Sequence, residues 1–92
     1  MPNFSWEPRK AAGNLRKHHV SFEKATGVFD DPFAIDNIDD RRNYGEERSN
    51  IIGMTEGRLL VVTYTLRGGY IHIISARKAE PHERRRYHEE ER

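Results

Sequence analysis

Arg58-Leu59-Leu60-Val61-Val62-Thr63-Tyr64-Thr65-Leu66-Arg67-Gly68-Gly69-Tyr70-Ile71-His72-Ile73-Ile74-Ser75-Ala76-Arg77 sets two runs rich in β-branched residues about a pair of glycines. Both central residues of a two-residue primed turn need positive φ, which glycine adopts without a Cβ penalty, so the stretch predicts a β-hairpin. The turn sets a register. Arg67 falls opposite Tyr70, Thr65 opposite His72 and Thr63 opposite Ile74, on a face that is polar at the hairpin end. On the other face Leu66 meets Ile71, Tyr64 meets Ile73, Val62 meets Ser75 and Leu60 meets Arg77. This second face is the expected core side, and it ends in a charge. A guanidinium there must reach solvent, a carboxylate or a ligand, which makes Arg77 the most informative position. A structural salt bridge to an acid such as Glu46 is the competing reading.

Working outward, a strand from Glu46 to Met54 joins the hairpin through Thr55-Glu56-Gly57. Before it, Phe33 and Ile35 alternate with Ala34 and Asp36, and a polar loop is expected from Asp39 to Gly45. Near the start, Asn3 to Trp6 predicts an edge strand, and Pro8 suits the first position of a helix over Arg9 to His18, with Ala12 and Leu15 as a narrow apolar stripe. A second helix opens at Ser21, a good N-cap, with Glu23 near the positive end of the dipole and Val20 able to staple onto Ala25. Phe22, Ala25, Val28 and Phe29 share its apolar side until Asp30-Asp31-Pro32 stops it. A last helix runs from Glu80 to about Glu90 with Pro81 at its start, and Glu89, Glu90 and Glu91 oppose the dipole there, so its tail is expected to fray. Phe4, Phe22, Phe29, Phe33 and Tyr64 are assigned to the core. The whole predicts one α+β domain over residues 1–92: two N-terminal helices and a C-terminal helix around a mainly antiparallel meander.

A chain of 92 residues carries one modest core. It has no cysteine, so disulfides and thiolate metal sites are excluded and the cytoplasm is the expected compartment. Trp6, Glu7 and Pro8 interrupt any secretion signal, and the longest aliphatic run, Leu59 to Val62, is too short to span a bilayer, so no membrane role is expected. Walker, dinucleotide and zinc patterns are lacking, and no cofactor is expected. His18 and His19 are adjacent and His82 and His88 six apart, which is not ligand spacing; no metal is expected, and the last two are taken as solvated helix residues. The formal net charge is +1, but the charges are segregated. Residues 1–24 hold five Lys/Arg against two Glu, residues 30–47 two against seven acids, and residues 48–92 nine against six. Folding can set a basic surface beside an acidic one, as in nucleic-acid-binding proteins and in others that bind no polyanion.

Eight short motifs stand in order: Trp6-Glu7-Pro8-Arg9-Lys10, Asn14-Leu15-Arg16-Lys17-His18, Val20-Ser21-Phe22, Val28-Phe29-Asp30-Asp31, Gly45-Glu46-Glu47-Arg48, Ile52-Gly53, Gly57-Arg58-Leu59-Leu60-Val61-Val62, and Ile71-His72-Ile73-Ile74-Ser75-Ala76-Arg77-Lys78-Ala79 with Glu83-Arg84 and Tyr87. This ordered set resembles the BrnT toxin family, and the Ile-Ile-Ser-Ala-Arg block is its most distinctive part. Two departures stand out: His19 where the family usually has glycine, and His72 where it often has arginine. The resemblance implies a fold similar to the RelE ribonuclease toxins and a metal-independent cleavage of RNA. It also implies a ribbon-helix-helix antitoxin of the BrnA type, with DNA engaged only through the toxin-antitoxin complex.

In that chemistry a ribose 2′-hydroxyl attacks phosphorus, which requires a proton acceptor, a proton donor and cations for the developing charge. Glu46 and Arg48, two apart on a strand, share a face; the carboxylate acts as base, or orients the guanidinium, or the two are a plain surface ion pair. Lys17 and His18 offer a cation and a titratable group at a helix C-terminus, where they also simply complement the dipole. Arg67 beside the glycine turn clamps phosphate or serves as a soluble hairpin tip, and Arg77 pairs with phosphate through its planar fork. His72 would bind phosphate only when protonated, strengthening binding below about pH 6.5. Arg84, Arg85, Arg86 and Tyr87 add phosphate contacts and a stacking ring, or form a solvated face, with Tyr87 weighted over the arginines. The competing function is a non-catalytic module that docks a nucleic acid or protein through the polar sheet face. The loss of arginine at position 72 favours it.

Overall fold

The computed structural model describes residues 2–40 and 45–90. Strand β1 (Asn3–Ser5) leads into helix α1 (Pro8–His18), whose first turn carries proline where a missing N–H costs nothing. His19 ends α1 in the left-handed region, φ 58°, with its N–H on the Leu15 carbonyl. Ser21 caps α2 (Phe22–Ala25) by accepting the Lys24 N–H at 3.1 Å. Instead of continuing, α2 tightens at once into a 3₁₀ helix, Thr26–Asp30, so the expected second helix is only one α-turn long. Val20, Phe22, Ala25 and Val28 are all fully buried; the 3.6-residue spacing marked the last three together with Phe29, which is partly buried.

Four strands form an antiparallel meander: β2 (Ile35–Asp39), β3 (Arg48–Thr55), β4 (Arg58–Arg67) and β5 (Tyr70–Lys78). β1 adds to β5 in parallel, giving the order β1-β5-β4-β3-β2. Helix α3 (Pro81–Glu90) follows. The chain is thus α+β, with a five-stranded mixed sheet. Most of the expected polar loop between β2 and β3, and the last two residues of the tail, lie outside the described residues. No helix among the described residues is long and apolar enough to cross a membrane.

Gly68 and Gly69 have φ of 51° and 83°, the paired positive values that the hairpin turn requires. Arg67↔Tyr70, Leu66↔Ile71, Thr65↔His72 and Tyr64↔Ile73 pair as the turn dictates. Beyond them the register slips by one residue, because Ile74 forms a bulge and Thr63 pairs with Ser75, Val62 with Ala76 and Val61 with Arg77. The expected pairings of Thr63 with Ile74, Val62 with Ser75 and Leu60 with Arg77 are therefore corrected. One inserted residue reverses the facing of everything after it. Arg77 leaves the row of Leu60 and joins the opposite face, where Val61, Thr63 and Thr65 point.

The sheet is apolar on both sides. On one side Ile51, Leu60, Val62, Tyr64, Ile73 and Ala76 pack with Val20, Phe22, Ala25 and Val28, and Phe29 meets Tyr64 edge-on at 5.1 Å. Gly53 permits this approach, since a Cβ there would fall 2.6 Å from Val28 Cγ1. The Tyr64 hydroxyl donates to Asp36; burial, with that carboxylate's help, pushes its pKa up to about 12. On the other side Ile52, Leu59 and Val61 pack against Ala79 and Tyr87, so α3 covers part of that face only. Three apolar expectations are corrected: Phe33 is half exposed after the turn at Pro32, Leu66 is 73 % exposed near the hairpin tip, and Ala12 and Leu15 of α1 are exposed while Asn14 and Ala11 turn inward.

Candidate functional site

The face on which Arg77 emerges is laid out in cross-strand rows. Ile35, Ile52 and Val61 form an apolar row that ends in Arg77. Next comes a polar row across four strands, Asn37-Asn50-Thr63-Ser75. Asp39 pairs with Arg48 and Thr65 with His72, one further step along the same face, and Ser5 of β1 pairs with His72. Each step is about 7 Å along the strands.

Arg77 is held by Glu83 on α3 through a two-pronged contact, Nη1 to Oε1 at 2.8 Å and Nη2 to Oε2 at 2.9 Å. The acid that holds it is Glu83, not Glu46. Glu83 also accepts the Glu80 N–H at 2.7 Å, fixing the first turn of α3 against β5. The Arg77 hydrogen bonds, with those of the Glu80 N–H and despite partial burial, keep the Glu83 carboxyl below its usual range. Arg86, one turn on, donates to Asn37 Oδ1 at 3.1 Å. Sheet and helix thereby enclose a polar cleft of about 370 Å³ lined by Asn37, Asn50, Thr63, Ser75, Arg77 and Arg86 among others.

Ser75 also lines a second, more open groove of about 480 Å³, bordered by Arg9, Lys10, Lys17 and His18 of α1 and by the bulged Ile74. The two grooves meet at this residue, so Lys17 and His18 lie on one side of β5 and Arg77 and Arg86 on the other.

Glu46, Arg48 and Arg67 form a separate cluster towards the far end of the sheet. Arg67 reaches both Glu46 oxygens at 3.2 Å, and Arg48 Nε stands 3.6 Å from Oε2. The Arg67 hydrogen bonds lead in lowering the Glu46 pKa, with Arg48 adding to them, so this carboxylate holds a proton poorly and orients its two guanidinium groups. Arg48 is two rows, about 13 Å along the strand, from Arg77. The three arginines share a face but not a single phosphate.

His72 and Tyr87, both expected on an RNA-binding surface, are buried. His72 is 8 % exposed with Nδ1 against the Ser5 hydroxyl at 2.9 Å. Tyr87 is 2 % exposed, packed on Ile52, Leu59 and Val61, with its hydroxyl donating to Asp31 Oδ2 at 2.6 Å. Its ring is an anchor for α3 and is not presented for base stacking. Glu80, His82 and Glu83 bring potential ligand atoms within 4.8 Å. Both Glu83 oxygens are already occupied by the Arg77 guanidinium, a cation that opposes metal binding there.

The family model for the ribonuclease toxin BrnT, of type II toxin-antitoxin systems, matches residues 6–83. The chain belongs to the BrnT family. Comparison with curated proteins gave no match. As a BrnT chain it is a ribonuclease toxin of a type II system, which implies an RNA substrate and an antitoxin partner. The matched span takes in every cleft-lining residue except Arg86.

Several residues of this BrnT chain escaped the sequence reading. Asn37, Asn50, Thr63 and Ser75 look like ordinary polar strand positions until the bulge is known, since only the shifted register sets Ser75 beside Thr63. Glu83 was visible as a helix N3 acid after Pro81, a capping signature that pointed to α3 but not to its grip on Arg77. His19 occupies a left-handed C-cap, a backbone position that glycine adopts without strain.

Proposed function

We propose that this chain is a metal-independent endoribonuclease that cleaves RNA by attack of a ribose 2′-hydroxyl on the adjacent phosphorus. The meeting of the two grooves at Ser75 carries the reading, because it sets titratable and cationic groups on both sides of one short stretch of β5. With the scissile phosphate over Ser75, His18 takes the 2′ proton as the oxygen–phosphorus bond forms. Lys17 protonates the 5′-oxygen as its bond to phosphorus breaks. Arg77 and Arg86 stabilise the charge that develops on the phosphoryl oxygens. The products are a 2′,3′-cyclic phosphate and a 5′-hydroxyl. Glu46 holds Arg48 and Arg67 ready for a phosphate further along the strand, in keeping with its weak proton affinity.

In this reading the fold is a variant of the RelE-like arrangement, and the antitoxin is a BrnA-type ribbon-helix-helix protein. It covers the basic grooves, and the pair together engages DNA. The test is incubation of purified chain with single-stranded RNA in EDTA, scoring 2′,3′-cyclic ends. Wild-type protein is expected to cut, Arg77→Ala to remain folded and inactive, and RNA with 2′-deoxyribose at the cleavage site to stay intact.

One observation favours a non-catalytic binding module instead: carboxylates already face Arg48, Arg67 and Arg77. RNA binding without any turnover by the wild-type chain decides for that alternative.

A further inference from the structure

We infer that the floor of the α3 cleft is a phosphodiester-binding surface whose hydrogen-bond polarity is set by Asn37 and Asn50, each locked so that its amide N–H groups face the ligand. This deepens the RNA reading above and rests on it for the identity of the ligand.

An asparagine side chain offers one acceptor oxygen and two N–H donors, and a neighbour that claims the oxygen leaves the donors for the cleft. Arg86 has no acceptor atom, so its contact with Asn37 at 3.1 Å can only be to Oδ1. Asn50 Oδ1 in turn accepts the Thr63 hydroxyl at 2.6 Å. Asn37 and Asn50 are direct register partners on β2 and β3, and both line the cleft. The two side chains therefore stand as neighbours on one row, each with its oxygen engaged.

Besides the apolar Ile52 and Val61 and the ring of His82, the rest of the lining is weighted the same way. Among the described residues Glu83 is its one acid, and both its oxygens are engaged by Arg77 and the Glu80 N–H. Arg86 and the Asn37 and Asn50 amides thus present donors, joined by the Ser75 hydroxyl, while Arg77, engaged by Glu83 and the Lys78 carbonyl, adds positive charge. Nucleobase edges mix donors with acceptors, whereas the non-bridging oxygens of a phosphodiester only accept. A donor-lined floor suits the phosphodiester. The amides matter because Glu83 and Glu90 offset much of the arginine charge: Arg86 Nε lies 3.5 Å from Glu90.

Asn37→Asp and Asn50→Asp are near-isosteric and replace the donors with acceptors. Binding of short 2′-O-methyl oligonucleotides, which cannot be cleaved, is measured by fluorescence anisotropy with U, A and C homopolymers, alongside circular dichroism. Each Asp variant is expected to weaken binding about tenfold or more with all three sequences, and inorganic phosphate to compete with the wild-type complex. Asn37→Ser and Asn50→Ser, expected to show a smaller loss, serve where an Asp variant does not fold. Unchanged affinity in the folded variants, or a loss confined to one base, overturns the inference. Wild-type cleavage with normal binding by the variants leaves the ribonuclease reading standing and this one refuted. Sensitive binding without wild-type cleavage does the reverse.

Discussion

Asn14 treats Ala76 as a neighbouring strand would: its Oδ1 accepts the Ala76 N–H at 3.0 Å and its Nδ2 donates to the Ala76 carbonyl at 2.8 Å. β1 pairs with β5 only as far as His72, so one buried side chain closes the edge that β1 leaves open, and Nδ2 also reaches the Val20 carbonyl at 3.0 Å. Asn14→Ala strands these backbone groups and is expected to cost about 2–4 kcal/mol, read from urea unfolding. Asn14→Asp, which keeps the acceptor but faces two carbonyls with a carboxylate, is expected to cost at least as much.

His19 bears the opposite expectation. Its left-handed backbone is strained for a residue with a Cβ, so His19→Gly removes strain while the N–H to Leu15 is kept. Thermal melts are expected to show stabilisation of about 0.5–1 kcal/mol.

Arg77→Ala is expected to lower the RNA cleavage rate about 100- to 1000-fold, as for loss of a donor to developing charge. Glu83→Gln leaves the guanidinium in place but loosens its aim, and the expected loss is about 10- to 100-fold. Equal losses from the two variants would place the function in Glu83 itself.

Acid sensitivity follows from two depressed carboxyls. Burial alone would raise Asp31, but hydrogen bonds from Tyr87, Met54 and Phe33 outweigh it, and Glu83 is lowered chiefly by Arg77. Depressed folded-state values mean that the native state binds these protons more weakly than the unfolded chain. Their stabilisation is full above the ordinary values of 3.8 and 4.5 and is lost as pH falls through the lower folded ones. Urea midpoints are expected to hold between pH 7 and pH 5 and to drop below about pH 4, with a shallower drop in Glu83→Gln.

Tyr87→Phe separates anchoring from base stacking. Losing the hydroxyl that meets Asp31 is expected to cost about 1.5–3 kcal/mol in urea unfolding, with RNA cleavage by the folded protein unchanged. A variant of wild-type stability would show that the hydroxyl does not hold α3.

Local chemistry made the elements legible. Pro8, Ser21, Gly68-Gly69 and Pro81 mark edges of α1, α2, the β4–β5 hairpin and α3 through φ preference or capping, and those features act over a few residues. The hidden parts depend on distant partners. Nothing near Phe33 says that the chain turns it outward, and nothing near Tyr87 says that Asp31, far away in sequence, will receive its hydroxyl. Of the residues singled out for the candidate site, Arg77, Lys17, His18 and Arg86 border the two grooves, whereas Glu46, Arg48 and Arg67 cluster apart and His72 and Tyr87 are buried. The layout of the site was not legible, because facing along β5 changes at Ile74.

The bulge at Ile74 leaves the hairpin in two phases, even-numbered residues of β5 turning one way before it and the other way after. Deleting Ile74 would give one alternation throughout and leave Arg77 opposite Val61 on the cleft face, because Ile73 and Ser75 already pair with the consecutive residues Tyr64 and Thr63. Length changes in this hairpin are therefore absorbed at the bulge and constrained by parity elsewhere: away from it, a lone insertion or deletion that no bulge takes up exchanges inside for outside.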